Sequence, residues 1–287
     1  MTTIRRRVSL PTLCLATLAL ASGIAIALGP LNPPAGAVSS SNRTLQEIFD
    51  KIPDGDGRVL IPGGTSTVTI NQPGSYVLTG NITVSNIGIN ILNPGGSVTL
   101  DLNGFRVTSS SLTSPVIQVN NCPQVIVRNG STSGGLSGVS LSIAPGALVE
   151  DVRVTGAKAN GIIFNANASP GATVRRCVVV DTGVTTVAAD TNNVFGISTG
   201  SLNHGTRFED CTVTRLFHNG TSPGSITGIL NFSTGGSVSR CLVANISTIT
   251  GSTGVNLNST VVYSGNNVVN FPVATEYVGG TDGGGNF

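Results

Sequence analysis

VRRCVV, residues Val174–Val179, sets an apolar residue, two arginines, a small thiol, one free position and a valine in a row. The same six-place template stands at VEDVRV (Val149–Val154), FEDCTV (Phe208–Val213) and VSRCLV (Val238–Val243). VRNGST (Val127–Thr132) fits loosely, with Gly130 and Thr132 in the last two key places. Successive starts lie 22, 25, 34 and 30 residues apart, a base period in the low twenties with insertions in two turns. A repeat of this size cannot bury its own apolar side, so repeats must stack and share one continuous core.

Each template is preceded by a second β-rich run: VIQV, GVSLSI, GIIFNA, GISTG and GILNF, while GVNLN begins one further turn. Every turn therefore carries at least two aligned strands, and like stacked on like makes a solenoid whose parallel strands lie about 4.8 Å apart. Three interior columns follow. They are Val127, Val149, Val174, Phe208 and Val238; then Val152, Cys177, Cys211 and Cys241; then Val154, Val179, Val213 and Val243.

The two polar places of the template fall on an outward bend, and their charge alternates from turn to turn. Arg128 and Asn129 are followed by Glu150 and Asp151, Arg175 and Arg176, Glu209 and Asp210, then Ser239 and Arg240. Opposite charges on adjacent strands attract and like charges repel, so a coil slipped by one turn would set like against like. The paired arginines thus read as a register device rather than as a grip on substrate.

Composition agrees with an all-β chain. Of 287 residues, 38 are glycine and only 10% are charged, and Val, Ile, Thr, Ser and Asn dominate. Net charge is +2, of which Arg5, Arg6 and Arg7 supply three units, so no basic run remains for nucleic acid. Residues 1–27 read as a secretory signal: IRRR, an apolar run, then Ala25 and Ala27 in an A-x-A cleavage pattern. Retention of that run as a membrane anchor is the alternative; after cleavage no membrane association is expected. Residues 28–43 are a Pro/Gly/Ser-rich linker. Thr44 and Glu47 stand at capping-box spacing ahead of Leu45, Ile48, Phe49 and Ile52, which predicts a short helix over 44–53. The solenoid is expected over 54–271 and a Gly-rich tail over 272–287.

Through VTLDLNGFRV (Val98–Val107), VIVRNGS (Val125–Ser131) and the repeated apolar-x-x-Cys-x-Val turns, the chain resembles right-handed parallel β-helix proteins of the pectin-lyase-like superfamily over roughly residues 70 to 270. GPLNPPAGAV, TLQEIFDKI and QPGSYVLTGNITV resemble, more narrowly, a functionally unassigned group of secreted bacterial β-helix proteins. The resemblance implies a helix over the N-terminal end of the coil. It does not imply one chemistry, because the fold hosts lyases, hydrolases, adhesins and inert scaffolds.

Lyases of that superfamily carry acids, a cation and a basic residue on the outer face of one sheet. The corresponding outward row here is Gln118, Ser140, Ile163, Ser198, Leu230 and Asn256, none of which titrates near neutrality. The related hydrolases share N-x-D, D-D, G-H-G and R-x-K motifs, all absent from this chain; NHG at Asn203–Gly205 is a fragment of one. The long insertions DTGVTTVAADTNNVF and RLFHNGTSPGS supply Asp181, Asp190, Arg215 and His218 as candidates for a shallow acid/base site, the alternative being loops whose Asn, Asp and Gly serve turn geometry. Cys122, Cys177, Cys211 and Cys241 form an even set after signal removal; a column at strand spacing favours buried free thiols over disulfides. Neither they nor the calcium-like fragments DGDGR at Asp54 and GGTDGGGNF at Gly279 make a metal site, and no cofactor is expected. With no Trp and only Tyr76, Tyr263 and Tyr277, little flat aromatic surface is available for a ligand groove. The expectation is a secreted structural module, or one that binds an extracellular or cell-surface polysaccharide, with a lyase or hydrolase and a laterally trimerising adhesin as alternatives.

Overall fold

The computed structural model describes residues 57–165, 169–184, 193–218, 224–246 and 250–287. The signal segment, the linker, the helix expected over 44–53 and Asp190 lie outside the described residues. Among the described residues there is no α-helix, only a single 3₁₀ turn at Val273–Thr275, and no helix is long and apolar enough to cross a membrane.

Each short run alternates apolar and polar residues, so each becomes a strand with one face inward and one outward. One coil reads Val98–Asp101, Arg106–Ser109, then Ile117–Asn120; the next reads Ile126–Gly134, then Ser137–Ser142. Stacked coils build a sixteen-stranded sheet holding two strand columns, a nine-stranded sheet, and a two-stranded sheet of Gly183–Val184 with Phe217–His218. All these pairings are parallel, each strand bonding its counterpart one coil on, and the result is a parallel β-solenoid.

The register matches the repeat. Val127 pairs with Val149, Val149 with Val174, Val174 with Phe208 and Phe208 with Val238, and none of the five is exposed. Val154, Val179, Val213 and Val243 form the expected third column. Burying a valine side chain contributes about 1.5–3 kcal/mol relative to leaving it in water, so these columns are the main source of cohesion along the axis.

Between the columns the chain turns outward at one residue held in the left-handed region. Asn103, Asn129, Asp151, Arg176, Asp210 and Arg240 have φ between 51° and 58°. Asn and Asp tolerate that conformation through local side-chain bonding, whereas arginine gains nothing of the kind. The bend is held along the axis: the Arg176 amide donates to Glu209 O (3.0 Å), Asp210 to Ser239 O (3.0 Å) and Arg240 to Ser264 O (3.0 Å).

Opposite the third valine column, the nine-stranded sheet presents glycines. A Cβ at Gly138, Gly161, Gly196, Gly228 or Gly254 would sit 2.1 to 2.4 Å from Cγ1 of Val154, Val179, Val213, Val243 or Val268, respectively. The sheets touch along this line, and only a hydrogen fits.

Two short strands beyond Phe271 pair with the preceding coil. Tyr277–Val278 pairs with Ser252–Leu257, and Thr281–Asp282 with Val262–Ser264. The tyrosines Tyr263 and Tyr277 stack with centroids 5.0 Å apart. Ring stacking and the Asn286 side chain tie residues 277–287 to the preceding coil. Asn286 Oδ1 accepts from both the backbone N–H and Nδ2 of Asn266 (3.0 and 3.1 Å).

Candidate functional site

Of the acid/base candidates supplied by the two insertions, Asp181, Arg215 and His218 lie among the described residues and Asp190 lies outside them. Asp181 and Arg215 occupy the same outward bend on neighbouring coils, both at positive φ, and form an ion pair with each other. His218 ends the strand Phe217–His218, paired with Val184, and lines a cavity of about 450 Å³ with Gly224, Ser225, Ile226, Thr250, Gly251 and Ser252. Its Nε2 accepts the Gly224 N–H at 3.4 Å. Asp181 and Arg215 thus hold each other along the stack, and the described lining beside His218 is backbone, the hydroxyls of Ser225, Thr250 and Ser252, and Ile226.

The outward row of the nine-stranded sheet has the expected register: Gln118, Ser140, Ile163, Ser198, Leu230 and Asn256 are successive partners. Two of its members are nevertheless buried. Asn165 Nδ2 donates to Ser140 Oγ (2.9 Å) and covers it, and Ser198 lies between the larger Ile163 and Leu230. Asn203, from the NHG fragment, is also buried. Its Oδ1 accepts the Ser169 amide (2.6 Å) and its Nδ2 donates to Thr199 Oγ1 (2.7 Å), which makes it a corner brace.

The bend arginines are paired. Glu150 is nearly buried and takes Arg175 Nη2 at 2.7 Å and Arg176 Nη2 at 2.8 Å; Asp151 takes Arg176 Nη2 at 2.7 Å. Asp210 takes Arg240 Nε at 2.6 Å. The hydrogen bond from Arg176 holds the Asp151 carboxyl below its ordinary range, and that from Arg240 does the same for Asp210. Arg128 reaches back to Asp101 (3.3 Å), extending the ladder one coil earlier than the template shows.

Cys122, Cys177, Cys211 and Cys241, the cysteines among the described residues, are free and buried. Thiol-to-thiol hydrogen bonding through Cys211, followed by burial, pushes Cys177 and Cys241 well above the ordinary thiol range; burial also raises Cys122. Among the described residues no cluster of three or more His, Cys, Asp or Glu could hold a metal ion. Burial likewise pushes the Tyr277 hydroxyl up to about 12. Two of the three tyrosines are thus spent on the closing stack rather than offered to a ligand.

A different surface was hidden in the repeat. The second strand column carries Arg106, Ser131 and Arg153 side by side on its outer face, with Thr108, Ser133 and Thr155 as a second row two residues on. Asn81, Thr83, Gly104, Arg106, Thr108 and Ser131 line an open groove of about 490 Å³. The Arg106 and Arg153 side chains are exposed and, among the described residues, make no ion pair, unlike the bend arginines. The signal was present in FRVT, GSTS and VRVT, where every outward place is a hydroxyl or a guanidinium. It becomes legible only once register shows that no acid faces those arginines.

Fold and surface together define a parallel β-solenoid with a polar lateral groove. Residues 64–206, the stretch that contains this groove, are similar to a family described as carbohydrate-binding domain-containing protein. Comparison with curated proteins and with solved structures returns no match.

Proposed function

We propose that this protein is a secreted right-handed β-helix of the pectin-lyase-like type that binds extracellular or cell-surface polysaccharide through the lateral face of its N-terminal coils. The observation that carries this reading is the coincidence of two things in one stretch: similarity to a carbohydrate-binding family over residues 64–206, and the hydroxyl-lined groove between Asn81 and Ser131. Sugars are recognised by hydrogen-bond donors and acceptors on a rigid frame, and the outer face of a stacked sheet fixes Thr83, Thr108 and Ser131 without loop entropy. The test is retention of the full chain on immobilised polysaccharides, with and without Thr83→Ala and Thr108→Ala. Binding reduced by these substitutions supports the reading; no retention on any glycan overturns it.

A further inference from the structure

Resting on that reading, the geometry points to a ligand class: a glycan bearing carboxylate or sulfate groups, held by the Arg106 and Arg153 guanidinium groups. Charge is scarce in this chain, and at the bends each arginine from Arg175 to Arg240 that enters the ladder is matched to an acid on the adjoining coil. Arg106 and Arg153 break that rule. Ser131 lies between them as the register neighbour of both, Asn81 and Val178 stand on their far sides, and the rest of the face is Thr83, Thr108, Ser133 and Thr155. No carboxylate stands in either row. Positive charge is therefore left facing solvent, and a hydroxyl separates the two cations that would otherwise repel across adjacent strands.

The spacing adds to the argument. Two strand steps put the guanidinium groups roughly 10 Å apart along the solenoid axis, a distance suited to every second unit of an extended sugar chain. Between them Ser131, Thr108 and Ser133 are placed for ring hydroxyls. Aromatic stacking, the other common way to hold a sugar, has little to offer here: the chain has no Trp, and Tyr263 and Tyr277 are stacked on each other at the far end of the coil. Guanidinium groups bind planar or multivalent oxyanions through paired N–H donors, which an ammonium cannot reproduce.

The experiment measures binding of the full chain to heparin and polygalacturonate, as sulfate and carboxylate probes, and to dextran and galactan as uncharged ones. The expected result is retention on at least one charged glycan, weak or absent retention on the uncharged pair, and release by added salt. Arg106→Ala and Arg153→Ala should each weaken binding about tenfold, the effect of losing one charge-assisted contact. Arg106→Lys with Arg153→Lys should fall between wild type and the double alanine. Arg207→Ala, an exposed arginine on another column, removes the same net charge and should leave binding unchanged. Equal retention on charged and uncharged glycans, or a double alanine variant that binds like wild type, overturns the anionic ligand while leaving glycan binding in place. Loss of binding in Arg207→Ala comparable to that in Arg106→Ala also overturns it, as the effect of net charge alone. Absence of retention on all four removes both readings.

Discussion

Arg176 reaches back across one coil to Asp151 with two parallel contacts, Nε to Oδ1 at 2.8 Å and Nη2 to Oδ2 at 2.7 Å, while both residues hold a left-handed backbone. The pair joins two bends that are each unfavourable for an ordinary side chain. Its value lies in register: moving a coil by one turn would leave Arg176 without its acid.

Replacing Arg175 and Arg176 together by Glu sets six carboxylates on three successive coils, with Glu150 and Asp151 on one side and Glu209 and Asp210 on the other. The melting temperature should drop at low salt, and the gap to wild type should narrow as salt screens the repulsion. Thermal melts at two ionic strengths check this. An unchanged melt at low salt would remove the ladder as a cause of register.

Acid should act through the same residues. Because the native state holds the Asp151 and Asp210 carboxyls below their ordinary value of 3.8, their stabilising contribution is complete above that value and fades as pH falls through the depressed native values. Asp151→Asn with Asp210→Asn should melt lower than wild type at neutral pH. It should also show a shallower loss between about pH 5 and pH 2. Parallel acid slopes for the two proteins would sink this account.

The glycine row predicts a steric effect with a built-in control. In Gly196→Ala the new methyl would lie 2.3 Å from Val213 Cγ1 and 2.5 Å from Gly228 O. Overpacking of that kind should cost about 3 kcal/mol or more. Trimming the opposing side chain with Val213→Ala should restore only part of the loss, since the carbonyl contact remains. Full rescue in urea denaturation would show that the backbone approach is softer than the geometry implies.

These cases show what the sequence disclosed and what it withheld. The apolar columns were legible because every coil repeats the same small set of inward residues, so Val174 could be set over Val149 by alignment alone. The alternating bend charges were legible for the same reason. That only the second bend position is left-handed was not, because arginine at 176 and 240 masks a preference that Asn129, Asp151 and Asp210 display. GVSLSI, GIIFNA and GISTG each begin with the close-contact glycine, yet a leading glycine reads equally as a turn until the opposing valine is placed. Arg106 and Arg153 escaped notice because an unpaired charge is defined by what surrounds it in three dimensions, which a local motif does not record.

The thiol column makes a chemical prediction. Cys122, Cys177, Cys211 and Cys241 should be inert to a thiol reagent in the native protein and should all react after unfolding without reductant. Cys177→Val should be well tolerated, because Val152 fills the preceding place of the same column with 1% exposure. Fewer than four reactive thiols from this set after unfolding would indicate disulfides and a different packing.

Where the column reaches its last coils, the thiol gives way to an amide, and this substitution has a definite role. Asn266 Oδ1 accepts the Cys241 backbone N–H at 2.9 Å, and its Nδ2 donates to Val238 O at 3.0 Å. The side chain thereby satisfies two buried groups at the position where the repeat ends. Asn266→Ala would strand both and should cost about 2–4 kcal/mol, one to two for each buried group left unpaired. Asn266→Cys would extend the thiol column yet still leave the Cys241 amide without its acceptor. Both variants should therefore lose protection of that amide in hydrogen exchange, although only one changes side-chain volume in the core greatly. Retained protection at Cys241 in Asn266→Cys would mean that a thiol suffices there, and that the amide is not what closes the coil.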